Sequence, residues 1–327
     1  MSSEFFNIIP HEVLCQHVRE YPGATKDGRD VELRLAVKEY VPKKPLEDEG
    51  VTIIAAGGNG FPKVSKDPEE EMYEPLWDDI LNSLRMKGVT IRSIWTADMA
   101  NQGRSSELNE GRIGTDYSWM DHSRDLLALV NHFRESIKPP VIGIGHSIGA
   151  NALINLSLFH TRLFTDLILY EPILGYVADD GTRFDCTAEG VHFARLAGKH
   201  PSSWPSRQVA EDAMSNAKPF VDFDARVLSR WFAQGLRSST IGEEAVELVT
   251  SKLQEAATYV RPLFDPQVEN SPGKAGNQLD RTTYPDYDES VTGLRSFYCP
   301  ESWRTFTRLP EIQSRALFVF RKERNVP

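Results

Sequence analysis

Residues 32 to 41, ELRLAVKEYV, alternate apolar and polar side chains, the period of a strand with one buried face. Val51-Thr52-Ile53-Ile54-Ala55-Ala56 is instead a short apolar run, suited to a strand covered on both faces. Leu76, Trp77, Ile80, Leu81 and Leu84 then recur at helical spacing, and Gly88 stands where that helix should stop. Val89 to Trp95 reads as another strand. Ser118 followed by Asp121 resembles a capping box. It opens a helix whose Leu126, Leu127, Val130 and Phe133 make one apolar face, and Pro139 and Pro140 end that region. Val141 to Gly145 is a strand, 148 to 159 a helix, and Leu167 to Tyr170 the next strand. Strand and helix therefore alternate. That pattern predicts a mostly parallel central sheet with helices on both faces and ligands bound at the carboxyl ends of the strands.

From about 176 to 312 the pattern changes to helical segments at 206–216, 222–235 and 242–260, interrupted by Pro, Ser and Gly, while 264–290 reads as a polar surface loop. Ala316 to Phe320 is one more sheet strand. The expected organisation is a core over 1–175, a helical cap insertion over 176–312 and a return strand of the core over 313–327. Apolar faces on Ala245, Leu248, Val249 and Leu253, and on Val227, Leu228, Trp231 and Phe232, pack the cap onto the core or line a pocket for an acyl chain.

A chain of 327 residues that is 40% hydrophobic has room for one large α/β domain with such an insertion. A formal charge of −10 argues against nucleic acid or an anionic membrane as the main partner, and for a small-molecule substrate. Cys15, Cys186 and Cys299 lie far apart and form no CxxC, so neither a disulfide framework nor a zinc site is indicated, and nothing calls for a cofactor. The start, MSSEFFNIIPHEV, lacks a basic stretch followed by an apolar one, and no run reaches the roughly 18 to 20 apolar residues of a membrane span. A soluble intracellular protein is expected; its oligomeric state is not legible.

The candidate chemistry lies in Gly145-His146-Ser147-Ile148-Gly149, between a strand and a helix. A serine hydroxyl is a weak nucleophile, and a tight strand-to-helix turn exposes it to a base and to a substrate carbonyl. Ser147 is the expected nucleophile. The helix that follows directs its free amides toward the reacting centre, so the Ile148 N–H is available to an oxyanion. A second donor is expected from Gly57-Gly58-Asn59-Gly60-Phe61-Pro62-Lys63, with the Asn59 N–H first and Gly60 next.

GGNGFPK, YEPLWDDIL, NQGRSSELNEGRIGTDYSWMDHSRDLLALVNHFR, GHSIGANALINLSL and LILYEPIL together resemble fungal α/β-hydrolases. The group includes peroxisomal lipase-like proteins, the acyl-CoA hydrolase of mycophenolic acid biosynthesis and the AK-toxin biosynthesis hydrolases. The resemblance covers residues 50–175 and, in the cap, only the general layout. It implies an α/β-hydrolase fold, a serine hydrolase acting on esters or thioesters in secondary-metabolite or toxin biosynthesis, and a peroxisomal location. The elbow serine carries over to Ser147. In some members the acid follows the strand after the elbow, which is Glu171 here. The family often begins its oxyanion loop with histidine, where this chain has Gly57.

Glu171 has its own physical case, because it ends an apolar strand and Pro172 fixes the backbone after it. A solvated strand end is the other reading, and Asp98 is a rival acid. A hydrolase of this kind takes the order Ser, acid, His, yet the eight histidines stand at 11, 17, 122, 132, 146, 160, 192 and 200. The expected general base would fall after Pro327, as in a chain lacking the C-terminal part of the fold. His192 and His200, in the expected cap, are the candidates that could reach Ser147 instead. A catalytically impaired binding or regulatory protein is therefore the alternative reading.

Overall fold

Seven strands form one sheet: β1 (Phe6–Leu14), β2 (Arg34–Pro42), β3 (Val51–Ala56), β4 (Ile91–Ala97), β5 (Val141–His146), β6 (Asp166–Tyr170) and β7 (Arg315–Val319). Their order is β1-β2-β4-β3-β5-β6-β7. β1 is antiparallel to β2, and β2 to β4, while every pairing from β4 to β7 is parallel. This computed structural model describes residues 2–26, 31–44, 50–60, 71–217, 220–240, 242–262, 286 and 297–321.

The chain leaves β3 toward β4 on one side, and β5 returns on the other. Connections that diverge in this way leave a crevice at the carboxyl ends of the two strands, the usual ligand position in open α/β sheets. Helix α1 (Glu74–Met86) covers one face, packing Trp77 and Leu81 against Tyr40, Ile53 and Ile94. α3 (Trp119–His132) and α4 (Ile148–Phe159) cover the other; the short α2 (Gly103–Leu108) follows β4. α4 is buried over all of 148–157 because it lies between the sheet, α3 and a later helix. That burial explains why its sequence is apolar on every side.

One strand was missed and two expectations need correction. β1 was not foreseen: FNIIPHEVL carries a proline, which an edge strand tolerates because one of its rows of N–H groups has no partner strand. Asp121 does not complete a capping box. Ser118 Oγ caps the Met120 N–H, whereas Asp121 turns away to accept the Glu20 N–H. The stretch 242–260 is not one helix, since Val246–Leu248 is a strand paired with Leu236–Ser238, and α8 runs only over Lys252–Tyr259. β-branched Val246, Val249 and Thr250 favour the extended form, and Ser251 then caps the Gln254 N–H.

Between β6 and β7 the chain also forms α5 (Thr187–Lys199), α6 (Arg207–Ser215), α7 (Ala225–Gly235) and α9 (Pro300–Arg308). Trp204, Met214, Trp231 and Leu248 of this segment make a separate apolar cluster with Met72. The expected loop over 264–290 lies outside the described residues, apart from Asp286. The three cysteines are free, and although far apart in sequence the Cys186 and Cys299 sulfurs lie 3.2 Å apart.

Beneath α1, Glu71 is fully buried with Tyr40 O–H and Trp77 N–H on its Oε2. Burial raises its pKa to about 7 against the opposing charge of Lys38, and it raises Glu74 beside it in the same direction. Between about pH 4.5 and 7 the folded state therefore holds a proton that the unfolded chain has released, so stability falls as pH rises through that window. A fully linked proton is worth about 1.4 kcal/mol per pH unit. Thermal unfolding of Glu71→Gln at pH 5.5 and 7.5 is expected to show a smaller loss at the higher pH than the unsubstituted chain; an unchanged or larger loss contradicts this.

Candidate active site

β5 ends in an abrupt reversal. Ser147 has φ 56° and ψ −122°, a region that costs a non-glycine residue on the order of 1–3 kcal/mol. The turn leaves Ser147 partly exposed, and its N–H donates to Tyr170 O at 2.9 Å. Close backbone contact explains the flanking glycines. A Cβ at Gly145 would lie 2.5 Å from Ala150 Cα, and one at Gly149 would lie 2.2 Å from Ala56 O and 2.6 Å from Gly57 O. The start of α4 and the loop after β3 thus touch backbone to backbone. Ile148, at the first position of α4, has an amide that no intrahelical acceptor can reach.

Asn59 is 5% exposed and anchored by its side chain. Its Nδ2 donates to Glu255 O at 2.9 Å, and Gln102 Nε2 donates to its Oδ1. Gln102 Oε1 accepts the Gly60 N–H at 2.9 Å, and its Nε2 also reaches Thr258 Oγ1 at 3.0 Å. Asn101 Nδ2 meets the same hydroxyl at 2.8 Å, and Trp119 Nε1 donates to Thr258 O at 2.7 Å. The loop is therefore clamped between the turn after β4 and α8, while the Asn59 N–H is assigned no acceptor among the described residues. With Gly60 N–H engaged, Asn59 is the better-placed donor of the two. Gln102 and Glu255 were not singled out from the sequence. Gln102 stands in the NQGR stretch that carried part of the resemblance, but amide side chains have no spacing that marks a clamp.

Glu171 follows β6, beside the elbow strand. Its φ of 45° is the other positive value at a non-glycine residue among the described residues. The Glu171 carboxylate accepts the Arg321 N–H just past β7, and its own N–H donates to Val319 O at 2.9 Å. The sheet sets Glu171 next to Ser147 in strand order, and no hydrogen bond joins the two among the described residues. Asp98 is used elsewhere: it accepts the Arg104 N–H at 2.9 Å, at the start of α2.

No hydrogen bond joins Ser147 to a histidine among the described residues. His146 Nδ1 lies 2.9 Å from Tyr73 Oη, which accepts the Gly58 N–H at 3.2 Å, so this ring braces the loop after β3. His192 is exposed beside Phe193. His200 pairs with Glu255 at 3.4 Å, and the hydrogen bond to Glu255 outweighs partial burial and raises its pKa.

On the α1 side of the elbow lies a cavity of about 470 Å³. It is lined by Gly57, Gly145, His146, Tyr170, Tyr73, Trp77, Phe223 and Val227, among others. Glu71 and Thr96 add polar atoms to this mostly apolar lining, and Glu71 Oε1 and Thr96 Oγ1 have no hydrogen-bond partner among the described residues. The size falls within the roughly 300–1,000 Å³ of small-molecule sites.

Residues 68–326 match the alpha/beta hydrolase family. The chain is 36% identical to the type I acyl-CoA thioesterase mpaH' of Penicillium brevicompactum, over 98% of this chain and 74% of that protein. It is 29% identical to the abhydrolase domain-containing protein AKT2 of Alternaria alternata, over 39% of this chain and 47% of that one. Among solved structures, the peroxisomal alpha-beta-hydrolase Lpx1 of Saccharomyces cerevisiae superposes with a TM-score of 0.63 at 19% identity, covering 78% of this chain and 67% of that one. Among the described residues no helix is long and apolar enough to cross a membrane. The strand order, the strained elbow and these matches agree: the chain belongs to the alpha/beta hydrolase family.

Proposed function

We propose that this protein hydrolyses an ester or thioester through an acyl-enzyme on Ser147. The observation that carries the reading is the elbow itself, a strained serine whose following helix meets the Gly57–Gly60 loop backbone to backbone. Ser147 Oγ attacks the acyl carbonyl carbon as its proton passes to a general base, the Ile148 and Asn59 amides receive the charge that develops on the oxygen, and the base hands the proton to the departing alkoxide or thiolate. Water then releases the acid. Glu171 is the acid of this scheme, orienting the group that takes the serine proton.

The relative named an acyl-CoA thioesterase and the resemblance over residues 50–175 support acyl thioesters of secondary metabolism as the substrate class. The cavity beside the elbow receives the acyl chain. Medium-chain acyl-CoA and the matching nitrophenyl ester are expected to be cleaved, read by release of free thiol and of nitrophenol. Absence of both products from the folded chain rejects the proposal. Val227→Trp, which fills the cavity, is expected to raise KM at least about tenfold for a twelve-carbon acyl group and to leave an acetyl ester within about twofold. Equal changes for both would remove the cavity from the acyl path.

The second reading is a ligand-binding protein without turnover, favoured by the lack of a histidine hydrogen-bonded to Ser147 among the described residues. It predicts saturable binding of acyl-CoA with no thiol released.

A further inference from the structure

Cys186 and Cys299 are 113 residues apart in sequence, and their sulfurs are 3.2 Å apart. Each is the residue that immediately precedes a helix, Cys186 before α5 and Cys299 before α9. Both are buried, Cys186 at 8% and Cys299 at 1% exposure. Ser302 ties the two segments together: its Oγ accepts the Cys186 N–H at 2.9 Å and donates to Cys299 O at 3.2 Å, and its carbonyl accepts the Gly175 N–H at 2.9 Å. The pair therefore sits where the chain departs after β6 and where it comes back through α9. α9 is in turn hydrogen-bonded to the elbow helix, through Thr305 to Asn151 at 3.2 Å and Asn155 at 2.7 Å.

We propose that Cys186 and Cys299 are a redox modification site, a dithiol that a hydroperoxide converts into a disulfide across the two crossings. A disulfide needs the sulfurs at about 2.05 Å, so they close by roughly 1.2 Å, a side-chain rotation within a contact already made. Cys186, the more exposed, reacts first. Its sulfur attacks one peroxide oxygen, an S–O bond forms as O–O breaks, and the leaving hydroxide takes the Cys186 proton as water. Cys299 sulfur then attacks the sulfenic sulfur, S–S forms as S–O breaks, and the second hydroxide leaves with the Cys299 proton. Two thiols are oxidised and one peroxide becomes two waters. Cys15 is not part of the site; it lies in the core with Asp125 and Arg19 acting on its thiol.

Closing a loop of this length restrains the unfolded chain and pins both crossings, so the oxidised form is expected to melt on the order of 5–10 °C higher, reversibly with dithiothreitol. The experiment treats the reduced full-length chain with hydrogen peroxide, then alkylates in denaturant and maps peptides. The expected result is a loss of about 2 Da, one alkylatable thiol at Cys15, and a peptide joining Cys186 to Cys299. Cys299→Ser is expected to abolish the mass loss and the rise in melting temperature together. Three alkylatable thiols after peroxide, a cross-link that includes Cys15, or a Cys186–Cys299 link with no change in melting temperature overturns the proposal. The wild-type map alone decides the pairing if the variant does not fold.

Discussion

Ser147→Ala is expected to lower turnover of an acyl ester or thioester by at least about 10³-fold, with little change in stability. The expected kinetic loss follows from removing the oxygen proposed to form the acyl-enzyme, since binding in the cavity and the proposed Ile148 and Asn59 oxyanion amides cannot by themselves provide that covalent step. The stability expectation has a separate basis. The Ser147 hydroxyl makes no hydrogen bond among the described residues, and alanine at φ 56° carries the same backbone strain as serine. A variant that folds with the same melting temperature and retains more than about a tenth of the activity contradicts the role given to Ser147.

Arg261→Ala is expected to destabilise the fold by about 3–5 kcal/mol. Its guanidinium is buried against Glu301, which is itself fully buried; Nη1 meets Oε1, and Nη2 meets Oε2 at 3.0 Å. It also donates to Tyr117 O at 3.1 Å and lies over the rings of Tyr21 and Tyr298, 4.8 and 4.6 Å from their centroids. The Glu301 carboxylate further accepts the Trp119 N–H at 3.1 Å and the Ser118 hydroxyl at 3.0 Å, tying α9 to the start of α3. Removing the arginine strands a buried charge among these partners, whereas replacing both Arg261 and Glu301 by methionine is expected to cost far less. Burial alone would push the Glu301 carboxyl up, but the adjacent Arg261 charge and the hydrogen bonds hold it below the usual carboxylate range. The stability it contributes is therefore present above the ordinary carboxylate pKa and lost as pH falls through the lower folded-state value. Urea unfolding of the single and double variants at neutral pH tests the ranking; a single variant within 1 kcal/mol of wild type contradicts it.

How much of this was legible in the sequence depended on whether the signal was local. The β3, β5 and β6 strands and the elbow were readable because apolar runs, flanking glycines and the strand-to-helix change all fall within a few residues. The reason Gly149 must be glycine was not readable, because the clashing carbonyls belong to Ala56 and Gly57, more than ninety residues earlier. The same limit hid the Gln102 clamp on Asn59, the contact between Cys186 and Cys299, and the use of Asp98 by α2. Asp121 misled for a different reason. Its spacing from Ser118 fits a capping box, but a buried arginine, Arg19, and the Glu20 amide compete for its carboxylate and win. Glu171 was a candidate acid from its strand end and from resemblance, while its positive φ and its bond to the Arg321 amide emerge only from the folded sheet.

Whether Ser147 acts as a nucleophile is read by labelling with an active-site fluorophosphonate followed by peptide mapping. A single stoichiometric adduct on Ser147 is expected, blocked by prior incubation with a medium-chain acyl-CoA and absent from folded Ser147→Ala. A folded wild-type chain that takes up no label, or takes it up on another residue, would contradict it.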